Sequence, residues 1–225
     1  MSPHSHGANG PSGDSAARRV TTQDGASGAV ESTLDGAGVD AAPDGVGKVG
    51  GTRKYTGRII NVDVDEVRFP DGSVGQLEMV RHPGASAVLP FLTDPTGNDP
   101  QVLLIRQYRY AAEGYVYEVP AGRLDPGETP EECAARELRE ETGCSAGYIE
   151  HLYSFYTTPG FTDEKIHAFM ASDLTRGESS LEADEFVETI SLPLSRALDM
   201  IREGKIVDAK TALTLMYAAG FKLGM

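Results

Sequence analysis

The chain has 225 residues, a formal net charge of −14, 40% hydrophobic residues and no tryptophan. An acidic balance of this size argues against a nucleic-acid partner, because affinity for a long polyanion rests on neutralising its phosphates with Lys and Arg. No apolar run is long enough to span a bilayer, and no apolar h-region of roughly 7–15 residues opens the chain, so neither a membrane anchor nor a signal peptide is expected.

Residues 1 to about 50 are rich in Gly, Ala, Ser and Asp and nearly free of large apolar side chains. Such a segment cannot bury enough surface to offset its ordering entropy and reads as a disordered tail. His4 and His6 lie in it and are given no chemistry. From 53 to 80, Tyr55 to Val64, Asp65 to Phe69 and Gln76 to Val80 alternate loosely between apolar and polar, with a Pro70-Asp71-Gly72 turn. That pattern predicts a small antiparallel meander. Ala85 to Leu92 and Val102 to Ile105 read as buried strands joined by a turn at 97 to 100.

A loop over Gly122 to Gly127 follows, rich in turn formers, and then a helix. Thr129 is its expected N-cap, Pro130 its first residue, Glu131 and Glu132 its first-turn acids, and Gly143 its stop. Strands are expected near 147 to 156, 165 to 172 and 185 to 191, with His167 a strand residue, and then helices at 194 to 203 and 209 to 223. This mixed order predicts an α/β fold, and about 170 ordered residues suffice for one core. Cys133 and Cys144 are the only cysteines. They imply a reducing, cytoplasmic location, with no disulfide framework and no structural zinc.

Chemistry concentrates between Gly122 and Cys144, in GRLDPGETPEECAARELREETGC. Glu137, Glu140 and Glu141 stand at i, i+3 and i+4, which gathers three carboxylates on one helical face. Like charges so close repel unless a cation sits among them, and Mg²⁺, a hard ion that bridges carboxylates to phosphates, suits that position. Arg136 and Glu128 are suited to orienting the ligand carboxylates through charge-assisted hydrogen bonds. Seven fixed positions in this register, each at roughly 5–7% frequency, would align by chance on the order of once in a million chains of this length.

The spacing resembles a Nudix box, with Cys144 where an aliphatic residue is more usual. The flanking stretches HPGASAVLPF, LLIRQYRYA, YEVPAGRLDPGE and YTTPGFTDEKIHAF, and Pro159 about fifteen residues beyond the box, resemble the ADP-ribose pyrophosphatase branch of that superfamily over residues 53 to 220. The resemblance implies a Nudix-type α/β/α sandwich with a mixed sheet plus the small N-terminal meander. It divides the chain into a tail (1–50), a meander able to dimerise (51–82) and a hydrolase domain (83–225).

It further implies Mg²⁺-dependent hydrolysis of ADP-ribose to AMP and ribose 5-phosphate, with Mn²⁺ a possible substitute, by a homodimer. Glu137, Glu140, Glu141 and the carbonyl of Ala121 would hold metal, Arg109 and Arg81 would meet substrate phosphates, and Pro159 would mark the ADP-ribose preference. A loop acid, Glu185 ahead of Glu182 or Asp184, would activate water. The alternatives are hydrolysis of another nucleoside diphosphate sugar such as GDP-mannose, or a non-catalytic ADP-ribose sensor; the intact glutamates disfavour the sensor.

Overall fold

The fold is described for residues 39–181 and 186–224 of a computed structural model. Three antiparallel strands come first, β1 (Gly47–Thr56), β2 (Asn61–Arg68) and β3 (Val74–Arg81). The single strand expected over 55 to 64 is divided by a turn in which the Gly57 amide donates to the Ile60 carbonyl at 2.9 Å. A Cβ at Gly57 would lie 2.8 Å from the Ile60 carbonyl oxygen, so the turn as it stands favours glycine. The 70 to 72 turn forms as expected, with Gly72 at a φ of 82°.

Next come β4 (Ala85–Pro90), β5 (Gln101–Arg109), a 3₁₀ turn over Tyr110–Ala112, β6 (Gly114–Glu118) and β7 (Ala121–Arg123). The helix α1 (Pro130–Thr142) leads into β8 (Cys144–Tyr156), β9 (Lys165–Arg176) and β10 (Val187–Pro193). Two helices, α2 (Leu194–Arg202) and α3 (Ala209–Tyr217), close the order, with a π-helical turn over Ala218–Leu223. β6 and β7 escaped the periodicity reading because they are short and Pro120 parts them.

The strands beyond the meander run β7-β4-β9-β8 in one sheet and β10-β5-β6 in another. β4 pairs parallel with β9 and antiparallel with β7, which makes the sheet mixed. β4 is buried along almost its whole length, as a strand covered on both faces must be. Ala87 and Leu89 pack with Leu194, Ala197 and Leu215 of α2 and α3, while Val88 and Phe169 pack with Ala134 and Leu138 of α1. Helices therefore lie on both sides of the sheet, as the α/β/α expectation required.

The meander is fastened at its last strand. The Val80 amide donates to the Phe161 carbonyl at 2.8 Å, and Arg81 and the His82 amide both reach Asp163, at 3.0 and 2.9 Å. The β8–β9 loop is thus hung from the end of β3.

Candidate active site

The α1 helix starts as its sequence predicts and adds a capping box: the Thr129 hydroxyl accepts from the Glu132 amide at 3.3 Å while the Glu132 carboxylate accepts from the Thr129 amide at 2.9 Å. Gly143 ends it in the left-handed region, its amide donating to the Arg139 carbonyl at 2.8 Å. Leu138, Ala134 and Cys133 seat one side of the helix in the core, and this fixes Glu137, Glu140 and Glu141 along the wall of a cleft of about 410 Å³. Gly122 lines the same cleft, and a Cβ there would lie 1.8 Å from the Glu137 carboxylate. Any larger residue there would push the Glu137 carboxylate out of its place.

Arg136 organises the cluster. Its Nε and Nη2 donate to Glu128 at 2.7 and 2.9 Å, its Nη1 donates to Glu137 at 2.6 Å and Glu140 at 3.0 Å, and Nη2 also reaches the Arg123 carbonyl at 3.0 Å. The bidentate contact holds the Glu128 carboxyl down at about 2, and the carboxylates raise the Arg136 guanidinium further above its ordinary value. Glu141 accepts from the Ala121 amide at 3.0 Å, which ties the helix to β7.

A second cleft, about 610 Å³, adjoins the first and shares Arg109, His82 and the Ala121–Arg123 strand with it. Phe155, Tyr156 and Leu213 give it apolar surface, and Asp208 and Lys210 at the start of α3 give it charge.

A model of the NUDIX domain matches residues 82–212. The chain belongs to the NUDIX domain family. It is 42% identical over 165 residues to a methanol dehydrogenase activator of Bacillus methanolicus and 40% identical over the same length to an ADP-ribose pyrophosphatase of Bacillus subtilis (strain 168). Each alignment takes in 72% of this chain and 86% of the relative. A GDP-mannose pyrophosphatase of Salmonella paratyphi B is 41% identical over 125 residues, which is 52% of this chain and 65% of that protein.

Within the NUDIX domain, the fold brings together Ala121, Glu137, Glu140, Glu141 and Arg136 on one cleft, with Glu128 behind Arg136 and Arg109 on the wall shared by both clefts. Arg81 lines neither cleft and is instead enclosed by Asp63, Asp65 and Asp163. Pro159 sits exposed in the β8–β9 loop, whose Thr157 and Thr158 line the second cleft. Glu182, Asp184 and Glu185 lie outside the described residues. His167 is a buried strand residue whose Nδ1 is 2.8 Å from the Ser154 hydroxyl.

Sequence reasoning missed Glu118, Lys210 and Arg58. Arg58, in the β1–β2 turn, reaches the box cleft from the meander. Glu118 was visible in the YEVPAG stretch, but nothing local signals a buried carboxylate there. The donors at the box cleft are hard oxygens, which suit Mg²⁺ or Mn²⁺ over softer metals. Among the described residues no three such side chains converge as a ligand cluster: Arg136 Nη1 draws Glu137 and Glu140 to itself, and Glu141 turns to the Ala121 amide. The residues fit a divalent cation in donor chemistry and in sharing one cleft.

Proposed function

We propose that this chain hydrolyses the diphosphate linkage of a nucleoside diphosphate sugar, with ADP-ribose its preferred substrate and AMP and ribose 5-phosphate the products. The observation that carries this reading is the joining of two clefts along one wall. The box glutamates line the first cleft, Arg109 stands on the shared wall, and the second cleft has the size and the mixed lining of a small-ligand site. Relatives active on ADP-ribose and on GDP-mannose support the substrate class.

In this reading Glu137, Glu140, Glu141 and the Ala121 carbonyl hold Mg²⁺, or Mn²⁺ in its place. A divalent cation supplies charge neutralisation of the diphosphate and a more acidic water. The chain's own groups do the rest: Arg136 and Glu128 keep the helix carboxylates aimed into the cleft, and Arg109 meets a phosphate. Glu185 is our proposed acceptor of the water's proton. Homodimerisation through the meander belongs to the same reading and is supported by the exposed Val49, Tyr55, Val74 and Leu77. The free thiols of Cys133 and Cys144 support a cytoplasmic site of action.

The test is a panel of nucleoside diphosphate derivatives assayed with Mg²⁺, Mn²⁺ or EDTA. ADP-ribose should turn over fastest, and EDTA should stop the reaction. Absence of metal-dependent turnover on every substrate would overturn the reading, and faster cleavage of GDP-mannose would redirect it.

A further inference from the structure

The strongest feature that the box chemistry leaves unused is a buried carboxylate behind the shared wall. Glu118, at the end of β6, is 2% exposed. Burying a carboxylate is costly unless cations and donors meet it. Here Arg109 donates from Nε to Oε1 and from Nη2 to Oε2, both at 2.8 Å, Lys210 reaches Oε2, and Gln107 lies 3.5 Å from the same oxygen.

Two cations from different elements, β5 and α3, therefore share one carboxylate. Asp208 touches Lys210 at 3.0 Å, but its other oxygen caps α3 by accepting from the Thr211 amide at 2.9 Å. Burial pushes the Glu118 carboxyl upward, and the two cations outweigh it and hold the group below its ordinary value. Among the described residues Nη1 of Arg109 has no partner, and the side chain is 46% exposed where the two clefts meet. Lys210 takes up part of the same carboxylate, while Asp208 pairs with Lys210 in turn, and the bidentate grip of Glu118 fixes the direction in which the remaining donors of Arg109 face the clefts.

Resting on the functional reading above, we propose that Glu118 is a positioning residue: together with Lys210 it locks Arg109 in the rotamer that binds the substrate's diphosphate. The arrangement acts through Arg109, and Glu118 itself never touches the ligand. Its removal should act on binding more than on the chemical step.

Steady-state kinetics on ADP-ribose and calorimetric titration with inorganic pyrophosphate test this on the full chain. Glu118→Gln should raise KM about tenfold or more with kcat changed less than threefold, the range expected when a charge-assisted hydrogen bond to a ligand-binding group is lost. It should weaken pyrophosphate binding by a similar factor, and Glu118→Asp should recover part of both. In an Arg109→Ala background Glu118→Gln should add almost nothing, since the two act as one unit.

A lowered thermal midpoint with KM and pyrophosphate affinity unchanged, or full additivity with Arg109→Ala, would show a structural role only and overturn the proposal. Should Glu118→Gln fail to fold, Lys210→Met is read with and without Arg109→Ala: a loss of pyrophosphate binding that vanishes in the Arg109→Ala background supports the proposal, and a loss that persists there, or none at all, overturns it. A wild-type chain that cleaves nothing in the panel sinks the functional reading alone, because the pyrophosphate titration still reports on Glu118. A wild-type chain that does not bind pyrophosphate sinks the proposal.

Discussion

At the scale of single residues, the box is a set of contacts in which each member constrains the next. Gly122 leaves the space into which Glu137 turns, and Arg136 ties Glu137 and Glu140 to Glu128. Gly122→Ala should therefore displace the Glu137 carboxylate and reduce turnover by at least about 10²-fold, the scale of losing one key electrostatic group. Far-UV circular dichroism should meanwhile show the fold retained. Glu141→Gln should cost a similar factor in kcat on any substrate that the wild type accepts; a variant keeping more than about a tenth of the rate would contradict a metal-ligand role. Cys133 offers a control. Burial pushes its thiol up to about 12, and the nearby Glu128 and Glu137 push it the same way, so alkylating reagents at neutral pH should leave it unmodified in the folded chain. Mass spectrometry after such treatment would register the outcome.

At the scale of elements, what sequence revealed depended on how local the determinant was. The limits of α1 were legible because Thr129, Pro130 and Gly143 act on their own turn of backbone. Thr129→Ala removes the capping-box acceptor and should lower stability by about 1 kcal/mol in urea unfolding. That Glu137, Glu140 and Glu141 face one cleft was legible for the same reason, being helical spacing. Glu118 and Lys210 were not, because 92 positions separate them and only the packing of α3 beside β6 makes them neighbours. For Arg81 the sequence showed the cation but not its carboxylate partners, since Asp63 and Asp65 reach it only through the pairing of β2 with β3. β7 was hidden at the start of the stretch read as loop, which took in Gly122 and Arg123, since three residues have no period and their strand character comes from pairing with β4.

At the scale of the whole molecule, buried and paired carboxylates make stability depend on pH. Glu128 is held at about 2 against an ordinary 4.5, and Glu118 is also depressed. A group whose folded value is lowered gives stability that is complete above its unfolded value and is lost as pH falls through the folded one. Resistance to urea should hold at neutral pH and decline between about 4.5 and 2, with Glu128→Gln flattening that decline; an equally steep loss in the variant would assign it to other groups. The knot of Arg81 with Asp163, beside the hydrogen bonds at Val80, has a practical corollary for expressing the enzyme. The span that matches the family begins at His82, so it leaves out Val80 and Arg81 of that knot. A chain trimmed to the span would keep every box residue yet lose the Val80 and Arg81 contacts that hold the loop carrying Thr157 and Thr158, so a fragment that starts upstream, at the meander, should be the more active of the two.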